Sequence, residues 1–146
     1  MIRFEGEGDL FSCGVQTIAC PVNTAGTLGN GLALQFKIRI PGLLEFYQAA
    51  LRSGDLAVGK LVTYDVGPFR VLLFPTKQHW SKPSKKEYLE AGFKDLVARY
   101  KELGITELAM PALGCGYGQL DYIKVFKPLV HECLGETELP IDILLF

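Results

Sequence analysis

Two glycine-spaced stretches carry the first chemical signal in the chain. One holds Gly26, Gly29 and Gly31; the other is Gly114-Cys115-Gly116-Tyr117-Gly118. Each follows an apolar run that reads as a strand and precedes a segment that reads as a helix. Without side chains, backbone N–H groups at such a junction can approach an anion closely, and the helix start adds positive potential. One such loop is equally a tight turn. Two in so short a chain point to a diphosphate held between them. Neither has a Walker pattern, and Gly114-x-Gly116-x-Gly118 is not the G-x-G-x-x-G dinucleotide fingerprint.

Single polar residues beside these loops have two readings each. Asn23, just before the first loop, is either a turn residue or a hook for a sugar hydroxyl. Asp9, after Gly8, caps a turn or accepts from a base amino group. Lys77, just past the apolar strand Val71–Phe74 and Pro75-Thr76, is a solvated lysine or, if partly buried, a nucleophile or base with a lowered pKa. Trp80 is either core or a stacking platform for a base. Lys77, Lys82, Lys85 and Lys86 form a basic patch around His79 and Trp80, or simply a solvated face. His131 reads as a helix-surface or core histidine.

Cysteine and charge exclude more than they suggest. Cys13, Cys20, Cys115 and Cys133 form no C-x-x-C pair, and neither histidine stands at metal-ligand spacing from them, so no metal site is expected. Cys115 has no histidine in the sequence context of a catalytic partner. Fifteen Lys+Arg against 16 Asp+Glu leave a net charge of −1, without the basic excess of proteins that grip many phosphates. Apolar residues make up 49% and charged residues 21% of the 146, so disorder is excluded. A chain this long can bury roughly 68–70% of its unfolded surface. No apolar run approaches membrane-spanning length and the N-terminus has no secretory pattern, so a reduced, cytoplasmic protein without membrane contact is expected.

The elements that must position these residues alternate. Strands are expected at Ile2–Phe4, Gln16–Val22, Lys60–Val66, Arg70–Phe74, Glu107–Leu113 and Ile141–Phe146. Helices are expected at Leu32–Ile40, stopped by Pro41-Gly42, and at Leu43–Arg52, with Gly54 as C-cap. Ser84-Lys85-Lys86-Glu87 reads as a capping box, starting a helix with Leu89, Phe93, Leu96, Val97, Tyr100 and Leu103 on one face and Gly104 at its end. Asp121 can cap a last helix to about Leu134. The alternation predicts an α/β fold, a largely parallel or mixed sheet covered on both faces, with ligands beyond the carboxyl ends of its strands.

Taken as a set, five stretches resemble the macrodomain family: Gly8-Asp9-Leu10, Pro21–Gly26, Leu28–Lys37, Phe74–Trp80 and Met110–Gly116. The resemblance runs over essentially the whole chain. It is closest to the DarG-like members, which remove ADP-ribose from thymine in DNA and share one macrodomain class with the human terminal ADP-ribose protein glycohydrolase. It implies one macrodomain over residues 1–146, a three-layer α/β/α sandwich with a mixed six-stranded sheet. It implies ADP-ribose as ligand and product, with no cofactor. Asp9 would meet the adenine amino group beside Leu10, and Asn23, with Thr24, the distal ribose. Gly29, Asn30, Gly31 and Leu32 would cradle the diphosphate from one side; Gly114, Cys115, Gly116, Tyr117 and Gly118 from the other. Lys77, next to Thr76, matches the lysine on which hydrolysis depends, and His79, Trp80 and Lys82 would face the DNA.

The implied partners are ADP-ribosylated single-stranded DNA and a DarT-like toxin, with the protein acting as a monomer. Two positions depart from the pattern. Cys20 stands where macrodomains often carry the first asparagine of N-x-x-N, and Gly118 where the human enzyme has an acidic residue. DarG proteins carry a further toxin-sequestering domain, so a lone macrodomain or an excerpt of a longer chain is expected. The same loops would also serve a non-catalytic ADP-ribose reader, or a hydrolase of protein Glu/Asp esters, O-acetyl-ADP-ribose or ADP-ribose-1″-phosphate.

Overall fold

The computed structural model describes residues 2–145. Its strands are β1 (Ile2–Glu7), β2 (Thr17–Asn23), β3 (Val62–Asp65), β4 (Arg70–Lys77), β5 (Leu108–Met110) and β6 (Ile141–Leu145). Its α-helices are α1 (Gly31–Arg39), α2 (Leu43–Ser53), α3 (Lys86–Arg99) and α4 (Lys127–Leu134), with a 3-10 turn at Leu10–Ser12 and a π-helical turn at Tyr122–Phe126. The strands form one mixed sheet in the order β1-β6-β5-β2-β4-β3. β3 is antiparallel to β4; every other neighbouring pair is parallel.

Alternation along the strands builds two cores. Ile18, Cys20 and Val22 of β2, with Val71 and Leu73 of β4, pack under α1 and α2. Ala19 of β2, Leu72 and Phe74 of β4, and Ile141 and Ile143 of β6 pack under α3 and α4. A strand buried on both faces reads as a continuous apolar run, as Val71–Phe74 does. The result is the expected α/β/α sandwich. Helix α3 approaches β4 closely because Gly92 is its contact residue: a Cβ there would lie 2.3 Å from the Phe74 ring.

Three local expectations are corrected. β4 does not stop at Phe74 but runs through Pro75 to Lys77. Its pairing with β3 ends at Leu73, so Pro75 lies where the strand has one neighbour rather than two and a missing N–H is tolerated. β1 continues past Phe4 to Glu7, with Glu5 at φ 59° and a register shift that absorbs Gly6. The capping box does not form. Ser84 instead donates its amide to Gly118 O at 2.9 Å, α3 begins at Lys86, and the N-cap Lys85 makes no side-chain cap bond.

Smaller differences are at element ends. Pro111 ends β5 at Met110, short of the expected Leu113. Asp121 does cap, its Oδ1 accepting from Lys124 N at 2.8 Å, but the turn it starts is π-helical, with Phe126 N donating to Asp121 O. Pro128, which has no N–H to give, lies in the first turn of α4. Gly54 is the left-handed C-cap of α2, as expected. Phe146 lies outside the described residues.

Candidate functional site

The carboxyl ends of the parallel strands β6, β5, β2 and β4 lie along one edge of the sheet, and a cleft of about 620 Å³ follows them. Leu144 and Leu145 line it at the β6 end, Pro111 and Ala112 at β5, Val22 and Asn23 at β2, and Thr76 and Lys77 at β4. The two glycine loops stand over it, one after β2 and one after β5.

Asn23 builds the first loop. Its Oδ1 accepts from the amides of Ala25 and Gly26, both at 3.0 Å, and from the Tyr47 hydroxyl at 2.7 Å. Its Nδ2 donates to Thr27 Oγ1 at 2.8 Å and Thr27 O at 3.2 Å. Of the two readings of Asn23, the geometry realises the turn: both amide atoms are engaged within the protein, although the residue lines the cleft. Asn30 is the N-cap of α1 but makes no side-chain cap bond. The amides of Gly31, Leu32 and Ala33 therefore have no partner among the described residues, and all three residues line the cleft. Such a helix start is an anion site by construction.

The second loop turns at Gly114, φ 77°, and closes with Gln119 N donating to Gly116 O and Leu120 N to Gly114 O. This leaves the amides of Gly116, Tyr117 and Gly118 without a partner among the described residues, a second group of donors on the opposite loop of the cleft. The side chain of Tyr117, 70% exposed, reaches across to the first loop. A Cβ on Gly31 would come within 2.9 Å of its ring. Gly118 has no room for any side chain: a Cβ there would lie 2.3 Å from Ser84 Oγ and 2.4 Å from Gly114 O. An acidic side chain at this position therefore cannot be accommodated in this loop conformation.

Lys77 closes the β4 end. It is partly buried, burial lowers its pKa from 10.5, and it makes no ion pair among the described residues. Among the described residues the lining contains no Asp, Glu or His, and Lys77 is its one lysine or arginine. Thr24 ties the first loop to this end, its amide donating to Lys77 O at 3.1 Å and its hydroxyl to Gln78 O at 3.2 Å. Trp80 is on the rim, 56% exposed, with the His79 ring 5.3 Å away. Ser81 N donates to His79 Nδ1 at 3.2 Å, which places the ring proton of the neutral imidazole on Nε2. His79 and Lys82 are exposed and outside the lining.

Several other sequence candidates sit elsewhere. Asp9 caps the 3-10 turn through Phe11 N at 3.0 Å and lies 3.9 Å from Arg39; Leu10 is buried in the core; neither lines the cleft. Thr24 faces a second, smaller cavity with Gln48 and Arg52. Cys115 does line the cleft, but burial and then Asp121 push its pKa to about 11, so it is a thiol near neutrality. Cys20 is fully buried beneath α1 and α2, where an amide would sit among apolar side chains. His131 packs against Phe4, 4.8 Å between ring centroids. No cluster among the described residues could hold a metal ion.

Ser84 and Tyr122 were not read as site residues, yet both line the cleft. Ser84 was hidden inside a capping-box pattern. Tyr122 lies one residue past Asp121, in a turn whose π register no apolar periodicity announces.

Residues 19–127 match the Macro domain model, and the chain belongs to the macrodomain family. Within it, the chain is similar to proteins of the DarG type. It is 40% identical over 142 residues to the DNA ADP-ribosyl glycohydrolase of Thermus aquaticus, an alignment spanning 94% of this chain and 39% of the relative. It is 35% identical over 158 residues to a DNA ADP-ribosyl transferase-DNA ADP-ribosyl glycohydrolase fusion protein of Thermosipho africanus, spanning 95% of this chain and 40% of that one. The chain thus covers about two fifths of these curated relatives. The solved macrodomain of Thermus aquaticus DarG superposes with a TM-score of 0.87 at 38% identity, covering 100% of this chain and 97% of that one.

Proposed function

We propose that this macrodomain is a hydrolase that removes ADP-ribose from thymine bases of single-stranded DNA. The observation that carries the reading is Lys77: an amine with a lowered pKa and, among the described residues, no ion-pair partner, at one end of a cleft flanked by two groups of amides that no described residue pairs. The similarity to DNA ADP-ribosyl glycohydrolases supports the choice of linkage.

The amides of Gly31, Leu32 and Ala33 and those of Gly116, Tyr117 and Gly118 hold the diphosphate, with Gly29, Asn30, Gly114 and Cys115 shaping the walls. Asn23 and Thr24 fix the loop against which the distal ribose rests, beside Thr76. Asp9, exposed on the segment after β1, meets the adenine from outside the lining, and Leu10, buried beneath it, holds that segment in place. Trp80, His79 and Lys82 lie against the flanking strand, where an aromatic platform stacks a base at little cost in sequence preference.

Desolvation favours the neutral amine, the form that attacks. Lys77 Nζ bonds to the anomeric carbon of the distal ribose as the bond from that carbon to the thymine nitrogen breaks. The electron pair leaves with the base. Nζ, made acidic by the new bond, supplies the proton that thymine takes. Water then displaces Nζ, giving free ADP-ribose and the regenerated amine. No carboxylate is needed for this sequence, in keeping with a lining that has no Asp or Glu among the described residues.

Residues 1–146 act as one macrodomain and as a monomer in the cytoplasm, opposing a DarT-like transferase. No helix among the described residues is long and apolar enough to cross a membrane. The test is release of ADP-ribose from a single-stranded oligonucleotide bearing ADP-ribosylated thymine, with wild type and Lys77→Ala compared. The wild type is expected to release it. Lys77→Ala is expected to bind ADP-ribose and release none. Release by Lys77→Ala at the wild-type rate would remove Lys77 from the chemistry. Binding by the wild type without release from any linkage would make the domain a reader.

A further inference from the structure

The first glycine loop is a wall with a cavity on each side. Asn23 and Thr27 line the cleft, while Thr24, Ala25 and Gly26 line a second recess of about 410 Å³, completed by Gln48, Leu51 and Arg52 of α2. Among the described residues the two cavities share no lining residue. The wall is stiff. Asn23 holds the amides of Ala25 and Gly26, Tyr47 holds Asn23, and Gln48 Nε2 donates to Gly26 O at 3.0 Å. Arg52 takes no part in this bracing. It is exposed, and its guanidinium makes no hydrogen bond or ion pair among the described residues. It is also the one charged side chain among the described residues of the recess.

Thr24 fixes where the recess stands. Its amide and hydroxyl bond the carbonyls of Lys77 and Gln78, so the wall of the recess begins one strand spacing, about 4.8 Å, from the backbone of Lys77. The recess is on the face of the sheet covered by α2. From Lys77 the chain leads the other way, through Trp80 and Lys82 to α3, which covers the opposite face. Lys77 at the sheet edge therefore has a free cation on either side of it. A modified thymine in mid-strand has backbone leaving it in two directions, and Trp80, His79 and Lys82 meet only one of them.

We propose that the Arg52 recess takes a backbone phosphate of the substrate strand, on the side of the modified thymine away from Trp80. This rests on the reading of the substrate as ADP-ribosylated thymine in single-stranded DNA. A guanidinium with its donors free meets a phosphate through two parallel hydrogen bonds, and no carboxylate among the described residues of the recess competes for it. A cation for the backbone together with an aromatic platform for a base is how single strands are held. A few placed cations also suit a chain whose net charge is −1. Arg52 stands in the last turn of α2, where a cation suits the carbonyl end of the helix. That accounts for its charge but not for a recess beside Lys77.

The experiment compares wild type and Arg52→Gln on two substrates. One is a single-stranded oligonucleotide with one internal ADP-ribosylated thymine. The other is ADP-ribosylated thymidine as the free nucleoside, which has no strand phosphate. On the oligonucleotide, kcat/KM of Arg52→Gln is expected to fall about three- to tenfold at low salt. The slope of log kcat/KM against log salt should flatten by about 0.7, the value of one phosphate contact on a single strand. On the nucleoside the two proteins should agree. Equal kcat/KM on the oligonucleotide would overturn the proposal. Equal losses on both substrates would also overturn it, by tracing the effect to the cleft. A lowered unfolding midpoint with no loss specific to the oligonucleotide would overturn it too, leaving Arg52 as a helix-end charge. Failure of the wild type to release ADP-ribose from either substrate would instead remove the reading on which the proposal rests.

Discussion

Gly118→Ala tests whether the second loop is held in register by its lack of side chains. A methyl at this position starts 2.3 Å from Ser84 Oγ and 2.4 Å from Gly114 O. Restoring ordinary contact requires roughly 1 Å of movement. Ser84 is buried, and Gly114 O already accepts from Leu120 N at 2.9 Å, so neither neighbour yields freely. The loop itself must move, taking the unpaired amides of Gly116, Tyr117 and Gly118 with it. Those amides face a fixed set at the start of α1, so a shift of this size breaks hydrogen bonds that need both sets at once. A hydrogen bond to a charged group is worth about 1.5–3 kcal/mol, so losing one costs about ten- to a hundredfold in affinity.

Calorimetric titration with ADP-ribose measures this directly, with circular dichroism as the check that the fold persists. Adding Ser84→Ala should recover only part of the loss, because the clash with the Gly114 carbonyl remains. Affinity of Gly118→Ala within twofold of wild type would refute the reasoning. It would mean that the loop amides do not hold the diphosphate, or that the loop is too pliant for a steric argument.

Two further expectations concern chemistry and packing. Burial lowers the Lys77 pKa from 10.5, and the neutral amine is the attacking form. The rate should therefore rise with pH and level off below 10.5; a rate that falls across that range would assign the work to the ammonium. Gly92→Ala would ordinarily strengthen a helix by about 1 kcal/mol, but here the methyl would start 2.3 Å from the Phe74 ring. Overpacking costs about 1–3 kcal/mol, so the net effect should be a midpoint lower by several degrees in thermal unfolding, and a raised midpoint would show that α3 can lift off β4 without cost.

The sequence pattern read well where one physical cause dominates. The apolar run Val71–Phe74 is buried on both faces of a sheet and could be little else, and the glycine loops announce their backbone freedom by composition. It read poorly where a local pattern competes with a distant contact. Ser84 and Glu87 have the spacing of a capping box, yet the Ser84 amide is drawn to Gly118 O, thirty-four residues away. That long-range bond keeps Ser84 outside α3 and brings its side chain against residue 118, which, with the Gly114 carbonyl, leaves room only for glycine.

The same competition explains Asn23. Its type and place leave turn residue and sugar hook both open; the hydroxyl of Tyr47, buried in α2, completes the hydrogen bonding of its amide and makes it the turn. The position of Lys77 shows the reverse case. The sequence pattern places it just past a strand ending at Phe74, after Pro75-Thr76; instead the strand carries it to the sheet edge as its last residue. A lysine on a loose loop would keep its ordinary pKa and a mobile ammonium. One at the end of a central parallel strand, with its own carbonyl bonded to Thr24 N, is desolvated and held, which is what a nucleophile at a fixed anomeric carbon requires.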